Sequence, residues 1–417
     1  MTLHRLRLQG FRNLEDATLE LPAEGVALVG ANAQGKSNFL EAIHYLEIFR
    51  SCRGTRDTRL IRFGEDFFRL EARIGPGASS VPEPGGDAPR SRSVAAAVQR
   101  AGPIKKVTVD GEEPPRIGDA LGEMGSVLFT PDDVRLVADG PQERRRFLDI
   151  VLSVNAPGYL EALQRYRQVL AQRNAALRDR APRATVEAWD PLLAGAGARV
   201  LRMRAAWVRA GAPTFRSVVE EVSGGERGVL AYQPGVPGGP GAPGNPGTPG
   251  SGAFPAVQPD EHEAASIDAP WGDWFAGALR EGLEADRRRG TTLIGPHRDE
   301  FTMGLEPDGE DPAPKGGRDL REYGSGGQKR TAALALRILE AETVLRRRGR
   351  PALLLLDDVF AELDADRSER VLGLLDRTAA GQVVLTAPKD ADVRFRHDRL
   401  PRWRISGGRI ETGGEGG

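Results

Sequence analysis

The order of apolar and polar positions changes character several times along the chain. Leu3 to Leu8 (LHRLRL) alternates apolar with polar, which predicts a strand with one buried face. Gly25 to Gly30 (GVALVG) is an unbroken apolar run, the pattern of a strand covered on both faces. From Lys36 the spacing turns helical, with Phe39, Leu40, Ile43 and Leu46 on one stripe. Further strands are predicted near Phe67, Val94 and Lys106 and at Ser126 to Thr130, where Thr130, Pro131 and Asp133 mark a helix start. From about Gln142 to Ser223 the pattern is almost entirely helical. A helix around Trp274 to Arg287 leads to predicted strands at Thr291 to Gly295 (TTLIG) and Glu300 to Leu305. After Ser325 comes a helix with Leu334, Ile338, Ala341 and Leu345 on one stripe, then an apolar strand, Ala352 to Asp358. A helix and a last strand, Gln382 to Thr386, follow.

Helix and strand alternate at both ends, around an all-helical middle. This predicts an α/β core of residues 1–155 and 291–417, interrupted by a helical arm of residues 156–290. Two stretches break the pattern. Gly75 to Ser93 is rich in Gly, Pro and Ser, and Gly235 to Gly250 places glycine at every third position. The second is too short for a collagen-like triple helix and reads as a linker over about 233–255, in which Gly235 to Gly252 has no apolar residue beyond Val236 and Ala242 and no share in a core.

Composition narrows the class. Hydrophobic content of 39% and charged content of 28% in 417 residues are ordinary for a globular protein of two domains. No apolar run reaches the ~18 residues of a membrane span, and the start lacks the apolar core of a secretory signal, so a cytoplasmic protein with no membrane partner is expected. Cys52 is the single cysteine, which excludes an internal disulfide. A net charge of −1 excludes a uniformly basic coat for nucleic acid, so any basic surface is local.

The chemistry begins at Gly30-Ala31-Asn32-Ala33-Gln34-Gly35-Lys36-Ser37, a full match to the phosphate-binding P-loop, set between a buried strand and a helix as that chemistry requires. Its backbone N–H groups and the helix N-terminus face phosphates, Lys36 reaches the outer phosphates, and Ser37 can ligate Mg²⁺. ATP or GTP is the expected ligand, with Lys36 read as an exposed site charge and Asn38 completing the binding stretch. The apolar strand Leu353 to Leu356 runs into Asp357 and Asp358. Asp357 is placed to hold Mg²⁺ and Asp358 to orient an attacking water. Two stretches then compete for the signature that closes on a second subunit's nucleotide: Ser223-Gly224-Gly225 and Ser325-Gly326-Gly327-Gln328. Only Ser325 opens a long helix, so its hydroxyl and the glycine amides can point at a γ-phosphate. Ser223 reads as a helix end with a glycine cap.

Together these residues resemble the RecF family of bacterial recombination mediators, ABC-type ATPases related to SMC heads. The resemblance covers nearly the whole chain outside the two Gly/Pro-rich stretches. Its most specific carriers are Leu128 to Asp149 (LFTPDDVRLVADGPQERRRFLD), Gly295 to Phe301 (GPHRDEF) and the Ser325 helix. It implies a two-lobed ABC/SMC-head-like α/β head with a short helical arm, Mg²⁺ and ATP as cofactors, an ATP-dependent head-to-tail homodimer and DNA binding at gaps or junctions. It also implies slow, DNA-stimulated ATP hydrolysis and cooperation with RecR and RecO in placing RecA. By position, Lys36, Asp357 and Asp358 are then catalytic, Ser37 and Asp357 hold the metal, and Ala361, Glu362, Leu363 and Asp364 form a loop across the dimer. The chain departs from ABC ATPases at large in having Asp358 where many carry Glu, no switch histidine near Ala387 and no glutamine in the loop after the Ser126 strand. All three departures suit a slow timer better than a transporter pump, and an arm this short excludes a long SMC coiled coil. A DNA-binding protein with a purely structural ATP site is the remaining alternative. Arg144, Arg145, Arg146, Arg287 and Arg288 are the DNA candidates, with Arg50, Arg53 and Arg56 placed to touch either DNA or nucleotide. His297 has no partner identifiable from sequence.

Overall fold

The computed structural model describes residues 2–76, 91–102, 104–238, 261–307, 317–359, 365–378, 381–390, 393 and 400–413. In chain order the strands are β1 (Thr2–Gln9), β2 (Ala17–Glu20), β3 (Gly25–Val29), β4 (Phe67–Gly75), β5 (Arg92–Gln99), β6 (Lys105–Val109) and β7 (Ser126–Phe129). They continue with β8 (Gly228–Gln233), β9 (Glu300–Leu305), β10 (Arg318–Asp319), β11 (Leu353–Asp357), β12 (Val383–Ala387), β13 (Arg402–Ser406) and β14 (Arg409–Thr412). The α-helices are α1 (Lys36–Ile48), α2 (Arg135–Ala138), α3 (Pro141–Asn155), α4 (Tyr159–Arg178) and α5 (Arg183–Glu187). After them come α6 (Asp190–Ser223), α7 (Glu261–Arg289), α8 (Leu320–Tyr323), α9 (Gly326–Arg348) and α10 (Ala365–Thr378). Among the described residues no helix is long and apolar enough to cross a membrane.

Packing divides the chain into two compact units, Met1–Asp133 with Arg337–Gly417, and Val134–Leu336. These limits differ from the 155/156 and 290/291 boundaries that periodicity suggests. The reason is that α3 and β9, which read as parts of the α/β core, pack on each other and α3 on α4 and α6. The second limit falls inside α9.

In the first unit a six-stranded sheet has the order β14-β13-β3-β12-β11-β7, parallel throughout except for the β13–β14 pair. Every residue of β3, β7, β11 and β12 is buried, as the continuous apolar runs require. A five-stranded antiparallel sheet, β2-β1-β4-β5-β6, turns one face inward: Leu6 and Leu8 of β1 are buried while Arg5 and Arg7 are exposed. α1 contacts β7, β11 and β12 of the first sheet and β4 and β5 of the second. One hydrophobic cluster runs through all three layers, including Leu6, Phe68, Phe39, Tyr45, Leu355 and Val384. The Gln382 side chain links the sheets at one end. It accepts from the Leu3 N–H (2.8 Å) and donates to the Leu3 and Pro22 carbonyls (2.9 and 2.7 Å).

Covered on two sides, α1 buries far more than the expected stripe, and Glu41, His44 and Glu47 are each no more than 5% exposed. Glu41 pairs with Arg12 (2.9 Å) and accepts from the Ser51 hydroxyl (2.6 Å). His44 lies 3.3 Å from the Ser126 hydroxyl, and burial lowers its pKa to about 3, so it stays neutral. Burial pushes the Glu47 carboxyl up to about 7, although Arg348 nearby favours its charge.

The second unit packs α4, α6 and α7 together and sets α6 against β8 of a small sheet, β10-β9-β8. Thr291 to Gly295 is a turn rather than the expected strand. Side chains take its backbone groups: the Thr292 N–H donates to Asn174 (2.8 Å) and the Leu293 N–H to Asp286 (2.9 Å). Buried Arg173 pairs with Asp190 and Asp286 at 2.8 and 2.7 Å beside it. A second buried arginine, Arg204, donates to Asp149 (2.6 Å), Asp299 (2.8 Å), the Tyr159 hydroxyl (2.9 Å) and the Pro296 carbonyl (2.7 Å). The Tyr232 hydroxyl donates to the same Asp299, and His297 acquires partners in Tyr166 (2.6 Å) and the Thr292 carbonyl (3.1 Å). Asp299 also accepts from the Gly235 N–H at 2.7 Å, and Val236 is 1% exposed. The expected linker start is thereby corrected: Gly235 and Val236 belong to the core of this unit, because a buried carboxylate needs that N–H.

Two stability predictions follow from the buried charges. A folded pKa above the unfolded one makes protonated Glu47 the favoured form, so its contribution is present below the ordinary carboxylate range and lost as pH rises through about 7. Glu47→Gln should therefore raise Tm by ~3 °C or more at pH 8, and by less at pH 5; a gain independent of pH would contradict the assignment. Arg204→Leu leaves buried Asp299 without its ion-pair partner and Asp149 with Arg167 alone, and should cost about 3–5 kcal/mol in denaturant unfolding of the second unit.

Candidate nucleotide-binding site

β3 stops at Val29, and the backbone turns through Gly30 to Gly35 before α1 begins at Lys36. The start of the turn packs closely against β13. A Cβ on Gly30 would stand 2.4 Å from the Ile405 carbonyl oxygen of β13, and Gly35 has φ +114° at the helix N-cap. No side chain caps the first turn of α1, which leaves its N-terminal dipole directed at the loop. The loop is braced from outside. Gly407 and Gly408, in the β13–β14 turn, donate to the Gln34 side chain and carbonyl at 2.6 and 3.0 Å. Asn13 accepts from Asn38 (2.8 Å), and Arg53 donates to Asn38 (3.2 Å). Of the arginines after the first helix, Arg53 is thus beside the loop. Asn13 and the Gly407-Gly408 turn carry no motif, and sequence reasoning missed them.

Lys36 is only 7% exposed, which corrects its reading as an exposed charge. Its ammonium donates to the Gly30 and Ala31 carbonyls at 2.7 and 3.0 Å, curling over the loop it serves. Burial lowers its pKa, while Asp358 and Asp357 act against that shift. Asp357 ends β11, separated from β3 by β12 alone. The register pairs Asp357 with Thr386 of β12, whose hydroxyl donates to the Asp357 carboxylate (2.8 Å) and accepts from the Asp358 N–H (3.2 Å). Asp358 itself has φ +46°, unusual for a residue other than glycine. A threonine on β12, the strand next to β3, therefore anchors the Asp357 carboxylate and the Asp358 backbone, a role with no signature in the sequence.

In the second unit the two Ser-Gly-Gly stretches have opposite places. Ser223 ends α6, and Gly224 caps that helix in the left-handed region with φ 82°. Ser325 opens α9 through a reciprocal cap: its hydroxyl accepts from the Gln328 N–H (3.2 Å), and the Gln328 side chain accepts from the Ser325 N–H (2.8 Å). Of the stripe expected on α9, Ile338 and Ala341 are buried, Leu334 is half-buried and Leu345 is 43% exposed, and the buried face also takes in Ala335, Leu336 and Leu339. Ala361, Glu362, Leu363 and Asp364 lie outside the described residues.

The proposed DNA arginines divide by burial. Arg144 is 3% exposed, paired with Glu300 through two 2.7 Å hydrogen bonds and donating to the Leu136 and Asp139 carbonyls. Its guanidinium is spent within the protein, which removes it as a phosphate contact. Arg145 donates to the Asp299 carbonyl (2.7 Å) and Arg287 to the Ala181 carbonyl (3.0 Å), both half-buried. Arg146 lies 3.9 Å from Glu143, and Arg288 is exposed. The two long motifs, Leu128 to Asp149 and Gly295 to Phe301, meet in this buried network rather than on the surface.

A sequence model of the RecF/RecN/SMC N terminal domain matches residues 2–398. The chain is 33% identical over 399 residues to the DNA replication and repair protein RecF of Salinibacter ruber, covering 93% of this chain and 85% of that one. It is 37% identical over 394 residues to the protein of the same name from an Anaeromyxobacter species, covering 93% and 92%. Among solved structures it resembles the recombination mediator protein RecF-ATP in the RecFOR pathway, with a TM-score of 0.78, 26% identity and coverage of 99% and 98%. An Smc head bound to the C-winged helix domain of ScpA shares the fold, with a TM-score of 0.53 at 16% identity. Sequence along nearly the full length and the fold agree: the chain belongs to the RecF family, built on the α/β head that it shares with SMC proteins.

Proposed function

We propose that this chain is an ATP-dependent DNA-binding protein of recombinational repair and replication, acting as a slow ATPase timer. The observation that carries the reading is the braced loop at Gly30 to Ser37 with Asp357 and Asp358 fixed on Thr386, in a chain of the RecF family. ATP binds through the loop amides, the N-terminus of α1 and Lys36, which exchanges its Gly30 and Ala31 carbonyls for the outer phosphates. Ser37 and Asp357 suit Mg²⁺: one hydroxyl and one carboxylate whose second oxygen is left over from Thr386, with water and phosphate completing six oxygens. No cluster of three or more acidic, His or Cys ligands occurs among the described residues, in keeping with an ion held chiefly by its nucleotide. When bound, that ion neutralises charge on the phosphates.

Ser325 to Gln328 act in trans, closing on the nucleotide of a second copy to give a head-to-tail homodimer. Asp358 orients the attacking water. DNA joins the closed dimer at gaps or junctions, RecR and RecO act with it to place RecA, and hydrolysis resets it. Ala361 to Asp364 contribute to the same dimer, and the functional head spans 1–155 and 291–417 with 156–290 as its arm. A second reading, an ATP site that binds without turnover, draws on Asp358, one methylene shorter than Glu and held at φ +46°. Measuring ATP consumption with and without DNA separates the two: no consumption above background in either arm selects the structural site.

Size measurement with ATP, ADP and no nucleotide tests the dimer directly, and a larger species is expected with ATP alone. Lys36→Met should weaken ATP binding by roughly 100-fold, the equivalent of one charge-assisted contact of about 3 kcal/mol, with a cooperative unfolding transition retained. Ser325→Arg should leave ATP binding by the monomer unchanged and abolish the ATP-dependent dimer, since a bulky cation occupies the place of a hydroxyl. Asp358→Asn should hold ATP with the dimer closed; hydrolysis at the parental rate would remove Asp358 from the mechanism.

A further inference from the structure

The two Ser-Gly-Gly stretches, rivals in the sequence, touch in the fold. Gln328, the last residue of the Ser325 stretch, donates from its side-chain nitrogen to the Glu226 carboxylate. Glu226 follows Ser223-Gly224-Gly225 directly, and its own N–H donates to the Ser223 hydroxyl at 2.9 Å. The Gln328 amide is therefore held at both ends, by Ser325 N–H on its oxygen and by Glu226 on its nitrogen. A side-chain amide that is pinned twice has one orientation, and that orientation sets where the Ser325 cap sits. Glu226 is half-buried, and the adjacent Arg227 pairs with Glu220 at 3.4 Å.

We infer that Glu226 is a positioning residue for the Ser325 stretch, and that the C-terminal end of α6 thereby fixes the geometry with which that stretch meets a second copy's nucleotide. This rests on the reading of Ser325 to Gln328 as the element acting in trans. The chemistry is economical. Glu226 accepts a hydrogen bond from an amide that faces both it and the Ser325 backbone, and Gly224, in the left-handed region, turns the chain out of α6 toward α9. Glu226 acts through the Gln328 amide, so its effect is confined to closure. The Ser223 hydroxyl, which accepts the Glu226 N–H, supports the same arrangement from the helix end.

The test compares Glu226→Ala, Glu226→Gln and Ser325→Arg in the full-length protein, reading ATP binding by the dilute monomer, the protein concentration for half-dimerisation with ATP, and Tm. Glu226→Ala should raise the dimerisation midpoint about tenfold, the scale set by one hydrogen bond to a charged group, with ATP affinity of the monomer and Tm unchanged. Glu226→Gln keeps a side-chain oxygen for the Gln328 amide and should return the midpoint to within about threefold of the parent. A Glu226→Ala protein that dimerises like the parent while Ser325→Arg does not would overturn the positioning role and leave the trans reading standing. If both dimerise like the parent, the trans reading itself falls and this inference falls with it. Loss of Tm in Glu226→Ala with no rescue by Glu226→Gln would likewise overturn it, by showing that the contact serves the fold alone.

Discussion

A helix that starts at a phosphate-binding loop and lies between two sheets has no solvent face to give away. That constraint on α1 governs the first unit. The loop needs the helix N-terminus at the end of β3, and the two sheets need the helix body as their common core. Positions that would be polar and wet on a surface helix are therefore buried, and each is made tolerable in its own way. Glu41 is neutralised by Arg12, His44 gives up its proton, and Glu47 is displaced toward the protonated form. The cost of these adjustments is the cost of keeping the nucleotide loop on a rigid element rather than on a loose one.

The second unit solves a related problem with opposite means. There the buried charges are not individually quenched but pooled around arginines, Arg173 with Asp190 and Asp286, and Arg204 with Asp149 and Asp299. Pooling makes each arginine a junction of distant segments, since Asp149, Arg204, Tyr232 and Asp299 come from α3, α6, β8 and the turn before β9. Such a junction contributes specificity of arrangement more than net stability, because its ions are removed from water before they are paired. The same logic places Arg144 and Asp149 of one long motif and Asp299 of the other in the interior.

What sequence reveals here follows from range. The loop at Gly30 to Ser37 and the strand running into Asp357 were legible because their chemistry depends on neighbours in the chain and on continuous apolar runs. The opposed helix-end places of Ser223 and Ser325 were legible for the same reason, as one ends a helical pattern and the other begins one. Arg144 was not, because its partner Glu300 is 156 residues away and three consecutive arginines look like a solvated face. The turn at Thr291 to Gly295 passed for a strand because β-branched composition does not show that Asn174 and Asp286 will take its N–H groups. Val236 passed for linker because a glycine-rich run hides where its packed part ends. The burial of Glu41, His44 and Glu47 was beyond periodicity altogether, which presumes one apolar face.

The place of β3 has a consequence for how the molecule comes into being. It is the strand that bears the phosphate loop, yet both of its neighbours, β12 and β13, lie far downstream in the sequence. While the ribosome works through the intervening residues, Val26, Ala27 and Leu28 form a β-prone apolar segment with neither edge satisfied. Such a segment is a template for pairing with another nascent chain. Release of the C-terminal strands thus ends a long interval of exposure. The strand that leads into the nucleotide loop has its full set of partners only once β12 and β13 pair with it.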